Sequence, residues 1–215
     1  HARGRGDRPG LHDTFSMAVR RRIALGIAGA SSAAYVAAQA DDNVRRSLTI
    51  GSVGTLCRVF IRQITTITTH DQHHLDAALA RPPGTGLLSV SNHIATIDDP
   101  HLLSAIVPYS TLLRGGSEMR WGVCATDVCF RPGSTLNKLA DSAKVLPIER
   151  SGGVWQPQLE AVIGKLHEGQ WVHFFPEGKI RQDGRIHPFR RGVGRLVLGA
   201  ADRDAQSVGE GDAPS

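Results

Sequence analysis

Aromatic residues are scarce, at 5% of 215 positions. No aromatic RNA-binding motif and no zinc-finger spacing is present, so nucleic acid is the weaker candidate among anionic partners. Cysteine is scarce too. Cys57, Cys124 and Cys129 are odd in number and lack metal-ligand spacing, which predicts neither a disulfide framework nor a metal centre. Cys124 and Cys129 read as core or helix-face residues. A convincing membrane span is also missing: Ile23 to Ala40 is uncharged but dominated by Ala, Gly and Ser, and barely long enough.

Basic charge is what the chain has in excess. The formal charge is +5 and the isoelectric point is near 9.6, which favours phosphate groups or acidic lipids as partners. The length suits one domain with an appendage. Residues 1–44 read as a leader, either targeting or disordered. The first forty residues hold six Arg, two Asp and no Lys or Glu, a composition that suits an organelle presequence. The chain opens on His rather than Met and reads as an excerpt.

Residues 45–69 follow as an amphipathic segment. Ile50, Val53, Cys57, Phe60, Ile64 and Ile67 step by three and four and form one stripe on a helix, with Arg58 and Arg62 beside it. Such a helix can lie in a bilayer interface with its Arg near lipid phosphates, or pack on a core. The β-branched run at its end also permits a strand. His70, His73, His74, Asp71 and Asp76 read as a polar helix face rather than a metal cluster.

Three largely apolar runs read as strands: Gly86–Val90, Lys144–Arg150, which ends in a charged pair, and Trp171–Phe175. Between them, Pro157 opens a helix over Gln156–His167 whose Leu159, Val162, Ile163 and Leu166 share a face, and Gly169 closes it. Asp99-Pro100 looks like an N-cap and first helical residue. Arg114-Gly115-Gly116 reads as a turn, Met119–Phe130 as a helical segment, Lys138–Ala143 as a short helix, Val193–Ala201 as another, and 202–215 as a disordered tail. Alternating strand and helix predicts an α/β fold with a mixed, largely parallel sheet flanked by helices.

Polar motifs stand at each strand end, where α/β sheets place ligands. The first is Ser91-Asn92-His93 followed by Asp98. A carboxylate five positions on can fix the tautomer of an imidazole and make it a general base for a hydroxyl or thiol. Ten His make one such spacing unsurprising, though none of the other nine has Asp there. Leu146-Pro147-Ile148-Glu149-Arg150 ends the second strand, with Arg150 placed for a phosphate or for a surface ion pair. Phe174-Phe175-Pro176-Glu177-Gly178-Lys179 ends the third.

These three motifs, in this order, resemble those of the glycerophospholipid acyltransferase family. A chance Phe-Pro-Glu-Gly in a chain of this size is of order one in a thousand. The likeness runs from about Leu48 to Ala200. Finer features, among them Asp98-Asp99-Pro100-His101-Leu102, Met119-Arg120-Trp121 and Trp171-Val172-His173, resemble the branch whose members move acyl chains between phospholipids without coenzyme A and remodel cardiolipin. The resemblance implies that His93 is the general base, oriented by Asp98, and that Arg150, Phe175, Pro176, Glu177, Gly178 and Lys179 bind substrate. It implies phospholipid and lysophospholipid substrates (cardiolipin, monolysocardiolipin, phosphatidylcholine), a membrane surface as partner, no cofactor and no metal. It places 45–69 against the membrane, 70–201 in an acyltransferase domain, and the protein on the intermembrane-space side of a mitochondrial membrane. An acyl-CoA donor is the alternative. Family members continue into a further strand with a fourth motif, absent before Ser215, so the domain reads as truncated; an inactive lipid-binding form is the other alternative.

Overall fold

The computed structural model describes residues 41–133 and 135–209. The leader expected over 1–44 lies almost wholly outside them. The chain divides into two units, His1–Asp42 and Asn43–Ser215; the architecture below is that of the second.

Helix α1 occupies residues 43–64 of this unit. It is followed by α2 (Gln72–Leu79), β1 (Leu87–Val90), a wide turn over Asp98–Leu102 running into α3 (Leu103–Ile106), and the short helices α4 (Tyr109–Leu113) and α5 (Gly115–Glu118). Then come β2 (Gly122–Ala125), α6 (Thr126–Cys129), α7 (Thr135–Ser142), β3 (Val145–Ile148), α8 (Pro157–His167), β4 (Trp171–Phe174) and α9 (Gly192–Gly209).

The strands pair in parallel: β1 with β4, Leu87 opposite Trp171 and Ser89 opposite His173, and β2 with β3, Gly122 opposite Val145. A parallel bridge between Trp121 and Val172 sets β2 beside β4, giving the spatial order β1-β4-β2-β3. The central β4 is buried along its whole length. That accounts for Trp171, Val172 and Phe174, which are apolar on both faces, since a strand covered on both faces has no solvent side to mark with polar residues; His173 is the exception.

Two apolar clusters flank the strands. Val172 and Phe174 meet Leu159, Val162, Ile163 and Leu166 of α8 and Leu196 of α9. Trp171 meets Ile50 of α1 with Leu103, Val107, Leu112 and Met119. Residues 172 and 174 share a face and 171 takes the other, as the strand period requires. Covering helices on both sides give the expected α/β layering.

Four sequence expectations change. Met119–Phe130 is a strand followed by one helical turn, not a helix. Its four strand residues, Gly-Val-Cys-Ala, are too few and too small to declare themselves, and pairing with β3 decides their conformation. Cys124 and Cys129 consequently face each other and form a disulfide, with Cα atoms 6.0 Å apart; five positions on a continuous helix would have pointed them apart. Gly115 and Gly116 sit in a helical turn rather than an open one. A Cβ on Gly116 would lie 2.2 Å from the Asn43 carbonyl oxygen, and one on Gly115 2.6 Å from Ile50, so these glycines admit α1. Finally, α9 continues through Asp202 to Gly209, past the end expected at Ala201; no Gly or Pro falls between Ala201 and Gly209.

α1 has more apolar surface than one stripe. Ile50, Gly54, Cys57 and Ile61 are buried, while Val53, Leu56, Phe60 and Ile64 remain exposed, Leu56 by 70%. Ile67 lies beyond the helix, in extended chain. Arg58 and Arg62 donate to the carbonyls of Val107 (3.0 Å) and Ala105 (3.4 Å), so their heads are committed to the domain. Among the described residues no helix is long and apolar enough to cross a membrane.

Candidate active site

His93 follows β1 at its C-terminal end, where Ser91 still holds the sheet through its N–H to the Phe174 carbonyl, 3.3 Å. The turn after it folds back on itself. One oxygen of Asp98, Oδ2, accepts from the backbone N–H groups of Ile94 (2.8 Å) and Ala95 (2.9 Å) and meets His93 Nδ1 at 2.9 Å. Three donors thus converge on one buried carboxylate oxygen. The carboxylate places the ring proton on Nδ1 and leaves Nε2 as the acceptor nitrogen. The spacing read from sequence is therefore a real pair.

The ring lines a cavity of about 950 Å³. Its apolar walls include Ile50 and Val53 of α1, Val123, Val145 and Ile148 of the strands, and Phe174. Thr96, Asp99, Arg120, Arg150, Lys179 and Arg190 supply polar and charged groups. A single chamber thus combines an imidazole, cations and room for hydrocarbon, a composition that suits a lipid with an anionic headgroup.

Arg150 opens onto this cavity from the end of β3. Its acidic neighbour is Asp127, 3.6 Å away with both side chains more than half exposed, and not Glu149. Such a pair holds loosely, so the guanidinium is available to a phosphate. Phe175, Gly178 and Lys179 also line the chamber. Pro176 and Glu177 do not: both are buried behind the turn, and neither carboxylate oxygen of Glu177 has a hydrogen-bond partner among the described residues. The turn is closed by Arg190, whose N–H donates to the Pro176 carbonyl at 2.8 Å and whose side chain crosses Gly178. Gly178 has φ +69°, and a Cβ there would sit 2.3 Å from Arg190 Nε, so both backbone and space demand glycine.

Asp99 does not cap a helix. Its backbone is extended (φ −133°, ψ 119°) within the wide turn, and its carboxylate pairs with Arg120. Arg120 is 5% exposed; burial lowers its pKa to about 10, which leaves it charged at neutral pH. Arg120 and Arg190 are the site residues that sequence reading left without a role. The signals were an Arg between Met and Trp, and a basic pair after Phe189.

Among the described residues no cluster of His, Cys, Asp and Glu could hold a metal; of the His70 to Asp76 segment, Gln72 to Asp76 form the start of α2, and His70 and Asp71 precede it.

Comparison with known proteins identifies the family. Residues 66–208 match the acyltransferase family, and the chain belongs to that family. Within it, the chain is similar to tafazzins. It is 34% identical over 154 residues to the "Taffazin" of Dictyostelium discoideum, covering 67% of this chain and 50% of that one. It is 31% identical over 153 residues to the Tafazzin of Drosophila melanogaster, covering 69% and 39%. An N-acylphosphatidylethanolamine synthase of Arabidopsis thaliana is 40% identical over 105 residues, 48% of this chain and 36% of that one. The chain thus spans half or less of the length of these relatives.

Proposed function

We propose that this chain transfers an acyl group between phospholipids, with a lysophospholipid hydroxyl as acceptor and a second phospholipid as donor. The observation that carries this reading is the His93–Asp98 pair, 2.9 Å apart, opening on a cavity with both apolar walls and cations. His93 Nε2 takes the proton of the acceptor hydroxyl as its oxygen attacks the donor's ester carbonyl. Asp98 holds the imidazolium that forms. Collapse of the tetrahedral intermediate breaks the donor's ester bond, and the same proton passes to the departing glycerol oxygen. One lysophospholipid is consumed and one is made. Arg150, Lys179 and Arg190 bind phosphate, and Phe175 and Gly178 shape the wall. Pro176 and Glu177 act through the turn that presents Lys179. No metal or nucleotide enters the proton balance.

The acceptor we favour is monolysocardiolipin and the donor phosphatidylcholine, at a mitochondrial membrane. Similarity to tafazzins and the basic charge support this. The exposed apolar face of α1, contiguous through Val53 with the cavity wall, supports residence at a bilayer surface. The test is acyl transfer in liposomes of labelled phosphatidylcholine and monolysocardiolipin without coenzyme A. The expected result is transfer by the chain and a loss of roughly 10²- to 10⁴-fold in His93→Ala. Transfer only on addition of acyl-CoA would reassign the donor. No transfer with either donor, while liposome binding persists, would make the chain a lipid-binding form.

A further inference from the structure

His173 is a buried ionisable group to which that chemistry gives no part. It lies in the middle of β4, is 4% exposed, and does not line the cavity. The strand register sets Ser89 opposite it, and the period of two puts Ser91 on the same side of β1 as Ser89. Both ring nitrogens are taken: Ser89 Oγ lies 2.9 Å from Nδ1 and Ser91 Oγ 3.2 Å from Nε2. Trp171 Nε1 donates to Ser89 Oγ at 2.7 Å, so the Ser89 proton is directed to Nδ1, closer than its other acceptor, the Val172 carbonyl at 3.5 Å. With Ser89 assigned as the donor to Nδ1, the ring carries its proton on Nε2 and donates it to Ser91.

Two positions on, Phe175 stands on the same side of the chain. His173 meets it edge to face, centroids 4.8 Å apart and planes at 87°. Phe175 in turn covers one face of the His93 ring, centroids 4.1 Å apart and planes within 18°. A clamped ring thus braces a second ring, which lies flat against the base.

We propose that His173 is a positioning residue for the general base: held between Ser89 and Ser91, it fixes Phe175, and Phe175 fixes the plane of His93 and offers its π face to the imidazolium formed during transfer. Stacking of a cation on an aromatic face stabilises it, so Phe175 favours the protonated His93 in addition to any contact it makes with substrate. The brace itself carries no charge. Burial, followed by the positive charges of Arg120 and His93, lowers the His173 pKa to about 3, so it does not oppose the proton arriving on His93. The proposal rests on His93 being the base. The other charged groups around the pair are Asp98 and Asp99 on the turn, Arg120 before β2, and Lys179 and Arg181 beyond the Pro-Glu-Gly turn, Arg181 donating its N–H to the His93 carbonyl at 2.7 Å. All are retained in the variants below.

The test combines steady-state transfer kinetics with an NMR titration of the His93 ring in the full chain and in His173→Leu, His173→Gln and Phe175→Leu. Leu fills the space of His173 without either hydroxyl contact. The expected result is a fall in kcat of roughly ten- to a hundredfold with KM unchanged. Gln can accept from Ser89 and donate to Ser91, and should restore most of the loss. Phe175→Leu should move the His93 NMR titration and the acid limb of kcat/KM together to lower pH. Adding His173→Leu to Phe175→Leu should bring little further loss in kcat, since both act by one route. Equal impairment in the Gln and Leu variants, full additivity, or an unmoved His93 titration in Phe175→Leu would each overturn the proposal. If His173→Leu does not fold, His173→Gln and Phe175→Leu decide it. If the unmutated chain transfers nothing, the catalytic reading fails, and the titration alone still decides whether Phe175 and His173 hold the His93 ring.

Discussion

On one face of β4, Val172 and Phe174 join an apolar cluster with α8 and α9. On the other, Trp171 and His173 share their space with two serine hydroxyls, and the covering helix α1 leaves Val53, Leu56, Phe60 and Ile64 uncovered. The first face is closed except where Leu159 and Phe174 reach the cavity wall: α8 turns the rest of its stripe to the sheet and α9. The second leads outward, through buried polar groups to His93 and through α1 to whatever surface meets the molecule. Packing that only holds the fold can be apolar throughout. Packing that also positions a base needs directed hydrogen bonds, and those must be satisfied to be tolerated in an interior.

The largest effect expected from this contrast is on the closed face. Leu166→Ala removes a buried side chain distant from the cavity lining and should lower stability by about 2–5 kcal/mol, read by urea denaturation, with transfer per folded molecule unchanged. Altered kcat in that variant would mean that the two faces are coupled.

The polar face should instead reveal itself through pH. The folded pKa of His173 is depressed to about 3, whereas an unfolded His titrates near 6.5. Between those values the unfolded chain binds a proton that the folded chain refuses. Stability therefore rises with pH at about 1.4 kcal/mol per unit from this group, levels off above about 6.5, and is lost on acidification toward 3. His173→Gln should remove this contribution. An unchanged slope would show that His173 takes up its proton without unfolding.

Leu56→Ser on the open side of α1 should leave stability within about 0.5 kcal/mol. Affinity for anionic liposomes should fall roughly ten- to a hundredfold if that side chain enters the interface. The smallest effect is expected at Arg58, whose head donates to the Val107 carbonyl and lies over Tyr109. Arg58→Met keeps the stem and should cost about 0.5–1.5 kcal/mol, with liposome affinity little changed. A large loss of affinity there would return Arg58 to the lipid side.

Much of this contrast was legible in the residues. Three of four strands, the stripe of α8 and the His93–Asp98 pair each carry a signal within a dozen positions. What stayed hidden depends on distant chain. β2 shows as a strand only because β3 pairs it and Trp121, just before it, bridges to Val172 of β4. The Cys124–Cys129 bridge follows from β2. Arg120 gains its meaning from Asp99, twenty-one positions back, and α1 reads as one stripe because periodicity cannot tell which of two apolar sides a domain will take. Of the motif residues, Glu177 had the right position in the chain but its carboxylate turns inward, a matter of turn geometry that composition does not encode.

The hydrogen bonds on Asp98 have a further consequence. All three donors come from the five residues before it. The pair closes a loop so short that its entropic cost is nearly independent of the rest of the fold, whereas Arg150 and Lys179 arrive only when distant strands assemble. Under the proposed mechanism, reactivity is thus encoded locally and substrate choice globally: helices, cavity walls and headgroup contacts depend on the whole domain, while the proposed base and its partner form a single short word.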